Sequence, residues 1–206
     1  MLSTKELIPI VLVHALITIS GFTHAASPNQ KIETTEIDSF CLRGQEFGRQ
    51  HEKKIRHFAE VTKGVLSAQP QQSWREFSNV AALKKAIRAS DTGIFSQMRY
   101  WTLPDGITYV EAFFTSDSGD WSNLVEYCYR SDGTLAREDV TYNNITMVIQ
   151  SWQVRYFDNS GQALKMQREV FNLETKKPLP IENFQKPGNP LYTRVKSLPF
   201  FNFIQK

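Results

Sequence analysis

Five acids in the second half of the chain carry the only spacing that suggests acid–base chemistry. Glu111, Glu126, Glu138, Asp139 and Glu169 fall in alternating, strand-like segments, interspersed with Arg99, Arg130, Arg137, Arg155 and Arg168. Two carboxyls on facing strands can serve as acid and base, as in glycoside hydrolysis. The same alternation also describes cross-strand ion pairs on a solvated face, each contributing about 0.2–1 kcal/mol. Opposite charges alternate regularly and no pair of acids stands apart. The ladder is the preferred reading, and no catalytic residue is assigned.

The histidines add little. His14 and His24 lie near the N-terminus, leaving His51 and His57. Their spacing of six is not the His-x-x-x-His of a helical metal site, and no third ligand accompanies them. No metal or cofactor is expected. Gly-rich phosphate loops, a Gly-x-Ser-x-Gly elbow and a Cys-x-x-Cys motif are all missing from the sequence. Lys53, Lys54, Arg56, Lys63, Lys84, Lys85 and Arg88 make the expected helical layer basic. The net charge of +3 is too small to imply a nucleic-acid partner, so these read as solvated helix faces.

The first 25 residues read as a secretory signal peptide. Lys5 precedes an apolar run of 13 residues, Leu7 to Ile19, and Thr23-His24-Ala25 ends in a small residue. A bilayer span needs about 20 residues, so a retained anchor is the weaker alternative. Cleavage near Ala25 or Ala26 would place the protein in the periplasm or outside the cell. In such an oxidising compartment Cys41 and Cys128, about 87 residues apart, either form a disulfide or remain two buried thiols. Asn144-Ile145-Thr146 is an N-glycosylation sequon, relevant only to a eukaryotic secretory route.

The elements that must position these residues follow in order. Residues 26–36 are polar and aperiodic, a flexible lead-in. Phe40, Gly44, Phe47, His51, Ile55, Phe58, Thr62 and Val65 make one stripe of a helix over residues 37–66. Gly44 and Gly48 mark a bend in it or a close approach to a sheet. A second helix over residues 74–90 starts from the capping box Ser73-Trp74-Arg75-Glu76, with Ser78 or Asn79 an almost equal start. Residues 37–93 thus form a helical layer. Residues 94–173 form three hairpins, with Trp152, Val154 and Tyr156 sharing an apolar face with Leu164, Met166 and Val170. Residues 174–206 hold five of the nine prolines and read as an extended strap packed on the domain. In the alternative reading of that strap, Leu198, Phe200, Phe201 and Phe203 form an exposed partner patch. The expected fold is a single α+β domain: two N-terminal helices on one face of a six-stranded antiparallel β-meander, with a C-terminal strap.

One pattern recurs through the hairpins. Its copies are Arg99-Tyr100-Trp101-Thr102-Leu103-Pro104-Asp105-Gly106, Cys128-Tyr129-Arg130-Ser131-Asp132-Gly133 and Arg155-Tyr156-Phe157-Asp158-Asn159-Ser160-Gly161. Their glycines are 27 and 28 residues apart. The element resembles the hairpins of MORN-like aromatic–glycine repeats. The third hairpin and tail, from Arg155-Tyr156-Phe157 through Lys176-Lys177-Pro178 to Leu198-Pro199-Phe200, are similar to a group of exported bacterial proteins of unknown function. That resemblance covers the last 100 residues or so. It implies the periplasm or the exterior and no catalytic residue.

Three functions remain open on the sequence. The first is a non-catalytic exported module that binds an envelope or extracellular protein. The second is a carrier of a small apolar ligand between helices and sheet, in a pocket lined by Trp74, Phe77, Trp152 and Tyr156. The third is a hydrolase using sheet carboxylates, which requires two close acids with no arginine partner.

Overall fold

The computed structural model describes residues 28–63, 71–88, 92–181 and 190–205; the expected signal peptide lies outside them. Its main body is one eight-stranded antiparallel sheet. Helix α1 (Pro28–Gln50) leads into β1 (Arg56–Lys63) and β2 (Gln71–Phe77), then α2 (Val80–Ile87). Six strands follow: β3 (Thr92–Thr102), β4 (Thr108–Thr115), β5 (Trp121–Tyr129), β6 (Leu135–Asn144), β7 (Ile149–Phe157) and β8 (Ala163–Asn172). A four-residue helix, α3 (Phe201–Ile204), closes the tail. The sheet order is β2-β1-β3-β4-β5-β6-β7-β8. From β3 onward this is a meander, whereas between β2 and β3 the chain crosses over β1 by way of α2.

This corrects the expectation of two N-terminal helices on a six-stranded meander. Two segments assigned to helices are strands. In β1, His57, Phe58, Ala59, Val61 and Thr62 are all buried. A strand covered on both faces shows no alternation, and its apolar run coincides with a helical stripe. Helix α1 instead starts early, with Pro28 at its first position, where the missing N–H is no loss, and stops at Gln50. The buried stripe of α1 is Thr34, Ile37, Cys41, Gly44 and Gly48. The second helix is short. Ser73 and Glu76 belong to β2, and Asn79 caps α2 by accepting a hydrogen bond from the Ala82 N–H (2.9 Å).

The three repeated turns are the most regular feature. Leu103, Arg130 and Asp158 each accept a hydrogen bond from the glycine three residues on (2.9–3.1 Å), and each donates its own N–H to the carbonyl of the residue after that glycine. Gly106, Gly133 and Gly161 have φ of +86°, +79° and +87°, a region that only glycine enters cheaply. All three hairpins therefore close on the same loop. The second and third add a bulge beyond it, at Ala136 and Leu164. A bulge reverses the parity of everything after it. Leu164 accordingly stays with Trp152, Val154 and Tyr156, but Met166 and Val170 turn to the other face.

Both faces of the sheet are covered, rather than one. On one side α1 packs Ile37 and Cys41 against Ile107, Tyr109, Cys128, Ala136 and Tyr156. The helix lies close because its glycines allow it: a Cβ at Gly48 would come within 2.6 Å of Trp101, and one at Gly44 within 3.0 Å of Tyr109. The Trp101 indole N–H donates to the Gly44 carbonyl (2.8 Å). A Cys41–Cys128 disulfide, with a Cα–Cα distance of 5.7 Å, joins α1 to β5. Beside α1, α2 sets Leu83 on Ala59, Val61 and Ile94. The opposite face is covered by the tail. Phe200 is fully buried and stacks on Phe58 at 4.1 Å, while Tyr127 and Tyr129 donate to the carbonyls of Pro190 and Tyr192.

Two outcomes test this packing in urea unfolding. An exposed helical glycine gains about 1 kcal/mol on replacement by alanine, whereas Gly48→Ala is expected to lose about 1–2 kcal/mol, because overpacking against Trp101 outweighs propensity. A gain would mean that α1 does not rest on Trp101. Replacing both Cys41 and Cys128 by alanine is expected to cost about 4–5 kcal/mol, the chain-entropy value for a loop of this length. A cost under 1 kcal/mol would mean that the bond constrains nothing the fold does not already fix.

Candidate functional site

The sheet register sorts the acids. His57, Arg99, Glu111, Glu126, Asp139 and Val154 occupy successive partner positions across β1, β3, β4, β5, β6 and β7, in one row on the α1 side. Glu138 lies on the tail side, where its Oε2 accepts from Arg155 (2.6 Å) and its Oε1 is buried without a hydrogen bond. Within the row, three acids stand directly opposite one another, an arrangement that repels. Arg99 pairs with Glu111 at 2.5 Å, and Arg137 joins Asp139 at 2.7 Å and Asp38 of α1 at 2.9 Å. Glu126 has no arginine in this set; it accepts from the Tyr109 hydroxyl (2.8 Å) and from Gln45 of α1 (3.0 Å).

Burial and like charge act together on these groups. Burial pushes the Asp139 carboxyl up to about 6, against the pull of Arg137, with Glu126 and Asp38 adding to the rise. Burial also raises Glu111, opposed by Arg99 and reinforced by Glu126. His57 is lowered, first by burial and then by Arg99. The hydrolase requirement, two close acids without arginine, is not met in this row: of the three acids only Glu126 lacks one.

The other expected sites separate in space. Trp74 packs beside Phe200 on the tail side, Phe77 lies under α2, and Trp152 and Tyr156 lie on the α1 side. Among the described residues they fall in three separate clusters. Of the tail residues, Leu198 and Phe200 are buried in the core, and Phe201 and Phe203 are half-buried against it. His51 follows the end of α1, with its ring stacked on Phe47 at 4.2 Å. Among the described residues, no group of three His, Cys, Asp or Glu side chains is placed to hold a metal ion, and no helix is long and apolar enough to cross a membrane.

The open space lies elsewhere, at the end of the sheet built by the three turns. One cleft, of about 460 Å3, runs between α1 and the turns. Glu33, Glu36, Ile37 and Phe40 come from the helix; Ile107, Arg130, Ser131 and Asn159 come from the sheet side. The Arg43–Asp105 ion pair (3.0 Å) bounds it. A second cleft, of about 430 Å3, lies on the tail side between the first two turns and Arg194, Val195 and Lys196. Ser131 lines both.

Arg130 is the residue that the ladder reading misplaced. It does not pair across strands. Its guanidinium donates to the carbonyls of Leu135 (2.9 Å), Phe157 (2.5 Å) and Asp158 (3.4 Å), so three neutral acceptors hold a charged group at the cleft wall. Asp132, Glu33 and Asp158 act on its charge from a distance. Asp132 and Asp158 are occupied by their own turns: Asp132 accepts from Thr134, and Asp158 from Ser160 and Gln162. One sequence signal did exist. Ser131 and Asn159 hold the same position in successive copies of the repeated turn, so both must project from one end of the sheet.

Comparison with family models, with curated proteins and with solved structures returned no match.

The Asp139 shift has a definite sign. Its folded value, about 6, exceeds the ordinary carboxylate value near 3.9, so the folded state holds the proton longer. Stability from this group is therefore greatest below about pH 4 and falls as pH rises to 6. His57 acts oppositely: its lowered value makes stability fall as pH drops below about 6.5. Asp139→Asn removes the first effect only. Relative to this variant, the wild type is expected to lose up to about 3 kcal/mol between pH 4 and 6.5, read from urea unfolding at a series of pH values. Parallel pH profiles would mean that Asp139 titrates normally.

Proposed function

We propose that the protein is an exported, non-catalytic binding module that takes its ligand at the turn end of the sheet. The observation that carries this reading is the pair of clefts meeting at Ser131, lined by mixed polar and apolar groups. Recognition sites favour such concave places, with a few fixed polar groups over an apolar floor. The disulfide suits an oxidising compartment, in keeping with the signal-like first 25 residues. The buried carboxylates of the sheet are held by arginine, tyrosine or glutamine, which favours a structural role for them over acid–base work. The aromatic residues expected to enclose an apolar ligand lie on different faces, which weakens the carrier reading.

Native mass spectrometry of protein isolated gently from its own exported fraction tests the proposal. The expected result is an added mass that disappears on denaturation and is absent from Ser131→Trp, a variant that fills both clefts from an exposed turn position. Circular dichroism of that variant should be unchanged. An added mass that persists in Ser131→Trp would move the binding site elsewhere.

A further inference from the structure

Three features of the cleft beside α1 constrain what can occupy it. On the sheet side stands Arg130, a cation fixed by three carbonyls. Among the described residues it has no carboxylate within ion-pair distance; the ion pairs use Arg43, Arg56, Arg99, Arg137 and Arg155. A guanidinium held this way loses little freedom on meeting a carboxylate, to which its N–H groups beyond those three bonds can donate. The Ser131 hydroxyl and the Asn159 amide stand beside it as further donors.

On the opposite wall, Glu33 and Glu36 lie one turn apart on α1. Neither takes part in an ion pair among the described residues. Spacing of three along a helix puts both carboxylates on the same face, and both line the cleft. Acceptors of full negative charge thus face a donor of full positive charge across open space. The cleft keeps them from pairing with each other.

Between the walls the floor is apolar: Ile37 and Ile107 are buried and Phe40 is half-buried. The volume, about 460 Å3, falls within the range of about 300–1,000 Å3 that holds small organic ligands. An anion alone would meet Glu33 and Glu36, and a cation alone would meet Arg130. A purely apolar molecule would leave all three charges unsatisfied and partly desolvated, which is costly.

We infer that this cleft binds a small zwitterion with an apolar side chain, of the class of amino acids and short peptides, its carboxylate on Arg130, Ser131 and Asn159 and its ammonium on Glu33 and Glu36. The inference rests on the binding-module reading and adds the ligand's charge pattern and orientation. Selectivity comes from opposed charges at the two ends. Removing either charge from the ligand leaves one wall unpartnered.

The test is an NMR titration of the 15N-labelled protein with glycyl-L-phenylalanine, with N-acetyl-glycyl-L-phenylalanine and with glycyl-L-phenylalaninamide. The expected result is saturable shifts at Ile37, Phe40, Ile107, Ser131 and Asn159 with the free dipeptide, and at least tenfold weaker binding of each blocked form. Glu33→Gln/Glu36→Gln, changes on the accessible side of α1, should erase the preference for the free dipeptide over the N-acetyl form. It should also leave discrimination against the amide intact. Equal binding of a blocked form by the wild type would overturn the zwitterion assignment and leave the binding module standing. No shift at these residues with any of the three compounds would also overturn it. The siting of the binding module at the turn end fails separately, if the mass bound to the isolated protein survives in Ser131→Trp.

Discussion

The rest of the structure depends on the close seating of α1 on the sheet. A helix normally stands off a sheet by the thickness of its side chains. Here two glycines one turn apart remove that layer, and the rings of Trp101 and Tyr109 fill the space instead. The indole donates to a carbonyl inside the helix, a contact that needs the backbone to be within reach. Once the helix is this close, Cys41 meets Cys128, Asp38 meets Arg137 and Tyr156, and Gln45 meets Glu126. The disulfide fixes the position; the glycines set the depth.

The depth of that seating has an electrostatic consequence. The polar row across β1 to β6 runs beneath and beside the helix, and its acids lose water they would otherwise have. Three acids in line would repel, yet each has a partner: arginine for Glu111 and Asp139, tyrosine and glutamine for Glu126. Removing one member of such a buried pair costs more than the pair contributes. Burial, more than any one neighbour, is what moves the proton affinities of Asp139 and Glu111 upward. These acids hold the sheet and helix together, and Glu33, Glu36 and Arg130, outside the ion pairs of the described residues, stand where α1 meets the turns.

That junction exists because the three hairpins are the same length on one side. Each turn closes with the same hydrogen bonds and the same left-handed glycine, so the turns line up at one end of the sheet. Arg130 reaches from the second turn to carbonyls of β6, β7 and the third turn, tying neighbouring loops into one wall. A repeat whose first duty is to reverse the chain thereby builds a surface with a fixed donor in it.

Local rules made part of this legible in the sequence. The three hairpins and their glycine turns each follow from a few adjacent residues, because φ restrictions act over one turn of chain; the start of α2 at Asn79 competes locally with the capping-box pattern at Ser73, which lies in β2. The equivalent positions of Ser131 and Asn159 in the repeat carry a signal for one end of the sheet, but no residue type marks them as cleft residues. Other features depended on contacts far apart in sequence. Strand β1 is buried on both faces, so its apolar run carried no period of two and was read as helix. Met166 and Val170 changed faces because of a bulge at Leu164 that no residue type announced. The choice between two thiols and a bond at Cys41 and Cys128 required the distance between a helix and a strand. Glu33 and Arg130 are nearly 100 residues apart, and only the packing of α1 across the turns brings their charges to opposite walls of one cleft.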